Sequence, residues 1–257
     1  MFAQQTIHEA QLQFIRNCVI HAFTQFILKI YLYAGELQIP MTKAIIFDLD
    51  GTLLNTLDSI AYYANHTLVK YGFEPIETER YKILTGQGAR NLMTGMLRDR
   101  NCDDKELLEK MLYDYNKIYD DNYLYLTRPY DGVVEMLKTV REKGIKTAVI
   151  SNKPHSTTAQ VVEATLGGLL DIVFGNREGV PLKPDPTAIL EIIDMLGIAK
   201  EDILYVGDTG TDMMAGARAG LHTVGCTWGF RDRAELENYN ACSIIDNPME
   251  ILDLIKE

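Results

Sequence analysis

From Pro129 onward the chain alternates short apolar runs with amphipathic stretches, and this alternation constrains the fold more than any other feature. The runs are Ile145 to Ile150, Asp171 to Phe174, Ile203 to Val206, Leu221 to Gly225 and Ser243 to Ile245. They are too short for helices and nearly continuous in apolar character, as strands covered on both faces are. Between them lie helical patterns. One carries Val133, Val134, Leu137 and Val140, with Asp131 as its expected cap and Glu142-Lys143-Gly144 as its stop. Others run from about His155 to Leu166, from Pro186 to a stop at Gly197, from about Thr211 to Ala219, and over residues 248–256. One more apolar run, Ala44 to Phe47, stands far upstream. Strands alternating with helices predict an α/β fold, a doubly wound, Rossmann-like parallel sheet.

The pattern breaks between Thr56 and about Thr127, where no strand signal appears. Leu57, Ile60, Ala61, Ala64 and Leu68 mark a helix ending near Tyr71-Gly72. A second follows Gly86-Gln87-Gly88 and runs through Arg90 to Arg98; a third carries Leu107, Leu108, Met111, Leu112, Tyr115, Ile118 and Tyr119. The expected organisation is an α/β core from 41–55 and 128–257, with an all-helical cap inserted at 56–127. Ligands of such sheets bind beyond the carboxyl ends of the strands, and the insert leaves from that end. It should therefore cover the site. Residues 1–40 differ from both parts. Leu12 to Tyr33 is apolar but crossed by Arg16, Asn17, His21, Gln25 and Lys29, which makes an amphipathic helix rather than a membrane span or signal peptide. It reads as a docking helix, a self-association or membrane-surface helix, or a start placed upstream of Met41.

The apolar runs end in polar groups. Asp48 and Asp50 close the first, two apart, so in extended backbone they share a face. Ser151-Asn152-Lys153 follows the second; Lys183 lies between helices; Gly207-Asp208 and Asp212 follow another run. Each has a plain structural reading: a turn, a helix cap, a solvated lysine. Clustered, however, the carboxylates repel one another and require a cation or a proton. The available ligands are hard oxygens, and neither the five histidines nor Cys18, Cys102, Cys226 and Cys242 have metal-ligand spacing, which favours Mg2+. The cysteines read as reduced structural thiols of a cytoplasmic protein. A formal net charge of -11 argues against broad nucleic-acid binding. Trp228 and the methionines read as packing residues, and Lys153 and His155 as rim residues.

These four groups, in this order, resemble the haloacid dehalogenase superfamily: Asp48-x-Asp50-Gly51-Thr52, the Ser151 hydroxyl, Lys183, and Gly207-Asp208-x-x-x-Asp212. Gly86-Gln87-Gly88-Ala89-Arg90, Ser151-Asn152-Lys153-Pro154 and Thr227-Trp228-Gly229 resemble its phosphoglycolate phosphatase-like branch; Asn55 departs from it, where aspartate is common. The resemblance implies a Mg2+-dependent phosphatase acting on a small phosphate monoester, phosphoglycolate first, through an aspartyl-phosphate. It makes Asp48 the nucleophile and Asp50 the proton donor and acceptor. Asp48, the Asp50 carbonyl, Asp208 and Asp212 would hold Mg2+, and Ser151 and Lys183 the phosphoryl oxygens. Asn152 and Thr52 are further phosphate-binding candidates, and Gln87, Gly88 and Arg90 candidate cap contacts. A phosphomutase of the beta-phosphoglucomutase kind uses the same core, as do phosphatases for nucleotides, sugar phosphates or pyrophosphate. A signalling receiver lacks the helical insert, and a non-catalytic binding protein would have little reason to keep costly clustered acids. The expected partner is a small phosphate ester, without nucleic acid or a membrane span, and the assembly a monomer or homodimer.

Overall fold

In the computed structural model, which describes residues 41–256, the apolar runs pair into one six-stranded sheet. The strands are β1 (Ala44–Phe47), β4 (Lys146–Pro154), β5 (Ile172–Asn176), β6 (Ile203–Gly207), β7 (His222–Cys226) and β8 (Ser243–Ile245). Their order is β5-β4-β1-β6-β7-β8, and every pairing is parallel. Alternate residues of β1 serve opposite faces. Ile45 and Phe47 join one buried cluster with α5 (Val133–Glu142) and α6 (His155–Leu166). Ala44 and Ile46 join another with α7 (Thr187–Leu196) and α8 (Gly210–Ala219). Both faces are thus covered, which is why these strands read as unbroken apolar runs. The amphipathic leader lies outside the described residues.

Two short strands, β2 (Leu54–Asn55) and β3 (Arg128–Pro129), pair antiparallel where the chain leaves the sheet and returns. Between them run α1 (Leu57–Lys70), α2 (Thr78–Leu84), α3 (Gly88–Arg98) and α4 (Lys105–Asp121). These helices bury a cluster of their own around Tyr81, Met93, Met96, Met111 and Tyr115, and Phe230 from the loop after β7 is part of it. Among the described residues no helix is long and apolar enough to cross a membrane.

Several local expectations change. Asp131 does not cap α5. Gly132 holds that position at φ 86°, a left-handed conformation, and no side chain caps the helix. Helix α2 escapes the sequence reading because its seven residues bury only Tyr81 and Leu84, too few to declare a period. The same holds for α9 (Arg233–Asn238), which buries Leu236 alone. The closing helix reduces to a 3-10 turn, Pro248–Glu250, and one turn of α-helix, α10 (Ile251–Leu254). Strand β4 continues to Pro154 rather than stopping at Ile150, which keeps Ser151, Asn152 and Lys153 in extended backbone.

Candidate active site

Strand β1 is flanked by β4 on one side and β6 on the other, so the strand order reverses around it and a crevice opens beyond its carboxyl end. Phe47 is in register with Val149 and Val206, which sets Asp48, Ser151 and Asp208 close together beyond them. The Asp48 N–H donates to the Val206 carbonyl at 2.8 Å and holds the strand end in line. Gly51 then turns the chain at φ 91°. A β-carbon there would fall 2.2 Å from Asp208 Oδ2, so glycine is required by both conformation and space. Gly229 lets the loop after β7 come as close, since its β-carbon would lie 2.3 Å from the Asp208 β-carbon.

Asp48, Asp208 and Asp212 are buried, and each offers a carboxylate oxygen within 4.8 Å of the others. Lys183 Nζ donates to Asp48 Oδ1 and to Asp212 Oδ1, both at 2.7 Å. Asp212 is fully committed within the protein. Its Oδ1 also accepts from the Tyr205 hydroxyl at 3.2 Å, and its Oδ2 accepts from the Thr209 N–H at 3.1 Å and hydroxyl at 2.5 Å, in a capping box that starts α8. Asp208 is held at one oxygen by the Thr52 hydroxyl, 3.1 Å, and at the other by the Phe230 N–H, 2.8 Å, and keeps lone pairs free. The sequence placed Thr52 among phosphate-binding candidates; it stands instead behind Asp208 and orients it, with its carbonyl accepting from Trp228 Nε1 at 3.0 Å.

Burial, reinforced by Asp212, pushes the Asp48 carboxyl well above the usual range despite Lys183 beside it. Burial and Asp212 likewise raise Asp208 to about 7. For Lys183, burial works against the ammonium, but Asp212 and Asp48 outweigh it and hold the group well above its ordinary value. Fully ionised, Asp48, Asp50, Asp208 and Asp212 would carry four negative charges, against the two positive ones of Lys183 and Lys153. One divalent cation completes the balance, and Asp48 and Asp208 have oxygen lone pairs free to receive it. The donor set therefore fits Mg2+.

Beyond the acids lies a partly open chamber of about 80 Å³, lined from the core by Asp48, Asp50, Ser151, Asn152, Lys153 and Lys183. The insert contributes Thr85, Gly86, Gly88, Ala89, Tyr115, Asn116 and Tyr119 to its wall. Asn152 pairs with the Lys183 backbone in both directions, accepting from its N–H at 2.9 Å and donating to its carbonyl at 3.2 Å. The same amide donates to the Gly86 carbonyl at 3.1 Å, so it seats the lysine loop and ties it to the insert. Ser151 accepts from the Lys153 N–H at 3.1 Å and faces the chamber as part of its wall. Gly88 also reaches the wall. Gln87 and Arg90 do not: Arg90 is exposed and paired with Glu109 at 2.5 Å. Lys153 was read as a rim residue, and the structure corrects that. Its ammonium is buried, 2.9 Å from Asp50 Oδ1 and 2.8 Å from the Tyr119 hydroxyl. No spacing in the sequence signals this, since the partners come from other elements. His155 sits at the start of α6 with Nδ1 accepting from the Gly175 N–H at 3.2 Å. Cys226 is buried with its thiol pushed up by burial, which makes it an inert packing residue.

Comparison with known proteins agrees with this geometry. Residues 45–226 match the family model of haloacid dehalogenase-like hydrolases. The chain is 33% identical to a phosphoglycolate phosphatase of Aquifex aeolicus over 189 residues, 73% of this chain and 86% of that protein. It is 30% identical to phosphoglycolate phosphatase 1 of Pseudomonas aeruginosa over 217 residues, 82% of this chain and 79% of that one. Among solved structures, a haloacid dehalogenase-like hydrolase of Streptococcus pneumoniae superposes with a TM-score of 0.74 at 21% identity, covering 83% of this chain and 98% of its own, a likeness of fold. The chain belongs to the haloacid dehalogenase-like hydrolase family.

Proposed function

We propose that this enzyme is a Mg2+-dependent phosphatase that hydrolyses a compact phosphate monoester, with phosphoglycolate as first candidate. The observation that carries the reading is the charge balance at the ends of β1, β4 and β6: four carboxylates, two buried ammonium groups and a deficit of one divalent cation. The relatives named above support the substrate, and so does the chamber. Its walls bring the acids, both ammonium groups and the insert together around one small ester. The helices of 56–127 act as the cap of the site.

In this reading Asp48, the Asp50 backbone carbonyl and Asp208 would hold Mg2+, with Asp212, whose lone pairs are taken, in support. When bound it offsets charge on the phosphoryl oxygens. Asp48 attacks phosphorus through its carboxylate oxygen as the bond to the leaving oxygen breaks, and Asp50 gives that oxygen its proton. Asp50 then takes a proton from water as the water attacks the aspartyl-phosphate, which frees Asp48 and inorganic phosphate. Ser151 and the Lys183 ammonium hold the phosphoryl oxygens in transit. Lys183 also orients the nucleophile through its 2.7 Å contact with Asp48.

The purified protein is expected to hydrolyse p-nitrophenyl phosphate with Mg2+ and to stop with excess chelator. Asp48→Asn should lower kcat by at least roughly 1,000-fold, since it removes the attacking group, with an unchanged circular dichroism spectrum. Normal turnover in that variant would remove Asp48 from its role.

A further inference from the structure

The chamber wall holds two ammonium groups, and only one is absorbed by the phosphoryl chemistry. Lys183 lies between Asp48 and Asp212 at the foot of the crevice, where it serves the phosphoryl group. Lys153 lies on the side facing the insert, 9% exposed, with Asp50 at 2.9 Å and the Tyr119 hydroxyl at 2.8 Å, its ammonium 4.6 Å from the Tyr119 ring centroid. It is thus a fixed positive charge beside the acid that must meet the leaving oxygen. Around it the insert supplies Tyr115, Asn116 and Tyr119, neutral groups that present no competing cation. The other acid on this wall, Asp120, is engaged by the Thr157 hydroxyl at 2.6 Å. Arg90, a cap contact candidate from the sequence, is paired with Glu109 instead.

We propose that Lys153 is the specificity-determining residue for a second anionic group, a carboxylate carried on the leaving alcohol of the ester. The inference rests on the phosphatase reading of the same site. A leaving oxygen in hydrogen-bond contact with Asp50 lies about 3 Å from it, and a carboxylate two bonds further on reaches the ammonium that Asp50 occupies before substrate binds. The carboxylate and Asp50 exchange places on Lys153: the substrate gains a buried, charge-assisted contact, and Asp50 is released toward the leaving oxygen. The exchange leaves the ester's covalent bonds untouched; Asp50, once free of the ammonium, takes from solvent the proton that it then gives to the leaving oxygen. An ester with a neutral leaving group offers no replacement for Asp50, leaves the pair intact, and is the poorer substrate. The substrate class is therefore a phosphate monoester of a short hydroxy acid.

The test compares phosphoglycolate with its neutral counterpart, hydroxyethyl phosphate, in the Mg2+-loaded full chain. Wild-type kcat/KM should favour phosphoglycolate by roughly 10- to 100-fold, the range of one charged hydrogen-bonded contact. Lys153→Met should bring that ratio close to one, and Lys153→Arg should restore part of it. An equal loss on both esters in Lys153→Met, or no preference in the wild type, overturns the proposal. Should Lys153→Met not fold, wild-type inhibition decides: phosphonopropionate, the carboxylate-bearing analogue, must bind at least about tenfold tighter than hydroxypropylphosphonate, again the worth of one charged contact, and equal inhibition overturns it. Hydrolysis of p-nitrophenyl phosphate with neither small ester accepted sinks the Lys153 assignment and spares the phosphatase. No hydrolysis of any ester sinks both.

Discussion

Asp48 and Asp50 look equivalent in the sequence, yet each meets a different lysine: Lys183 holds Asp48 against Asp212, and Lys153 holds Asp50 against the insert. Asp208, in contrast, has no ammonium in contact among the described residues; it is held by the Thr52 hydroxyl and the Phe230 N–H. Burial and the Asp212 charge raise its carboxyl to about 7, with a consequence for stability. Without a cation, the folded protein keeps this proton up to about pH 7, whereas the unfolded chain gives it up near the ordinary value of 3.8. The stabilising protonated state is fully present below about pH 4 and is lost as pH rises through 7; the raised Asp48 acts in the same direction. Cation-free wild type should therefore melt lower at pH 8 than at pH 5. Asp208→Asn, with no charge to desolvate, should exceed it at pH 8 by on the order of a few kcal/mol and match it near pH 4. Saturating Mg2+ should raise the melting temperature of the wild type far more than that of the variant. Thermal melts at the two pH values with chelator or Mg2+ decide this, and a cation-free wild type that gains stability up to pH 8 would contradict it.

Among the elements, the loop after β7 is one that joins the sheet to the insert. The Phe230 N–H binds Asp208, while the Phe230 ring is buried in the cluster of α1 to α4. Arg231 adds a bond to the Thr85 carbonyl at 3.0 Å, and Asn152 from β4 grips Gly86 in the same turn. Two elements of the core thus hold the turn that leads into α3. Phe230→Ala leaves the backbone bond to Asp208 but empties the ring's place. It should cost about 3–5 kcal/mol in denaturant unfolding, increase proteolytic cleavage within 56–127, and raise KM more than it lowers kcat. A variant with wild-type KM and an uncut insert would mean that the ring only fills space.

Across the described residues, two buried clusters cover the faces of the sheet and a third lies within the insert, and the chamber stands where core and insert meet. Filling it should tighten both walls together. With Mg2+ and inorganic phosphate, amide exchange should slow at residues 85–88 and also at Lys183, whose N–H binds Asn152. Protection confined to the core would show that the insert closes independently. The sheet and the acids were legible in the sequence for physical reasons. Strands buried on both faces must be continuously apolar, and two residues apart on a strand must share a face, so β1, β6, Asp48 and Asp50 announced themselves locally. Helices α2 and α9 were silent because they bury one or two side chains each. Lys153 was silent for another reason: its partners Asp50 and Tyr119 lie 103 and 34 residues away, and no local pattern records so distant a pairing. The roles of Thr52 and Arg90 shifted likewise, because hydrogen bonds to Asp208 and Glu109 claimed their donors first. The sequence by itself determined the sheet, the order of its polar ends and the family, all of which follow from spacing along the chain. The tertiary structure alone decided which lysine faces which acid and which insert residues reach the chamber, because burial and contact there join residues far apart in the chain.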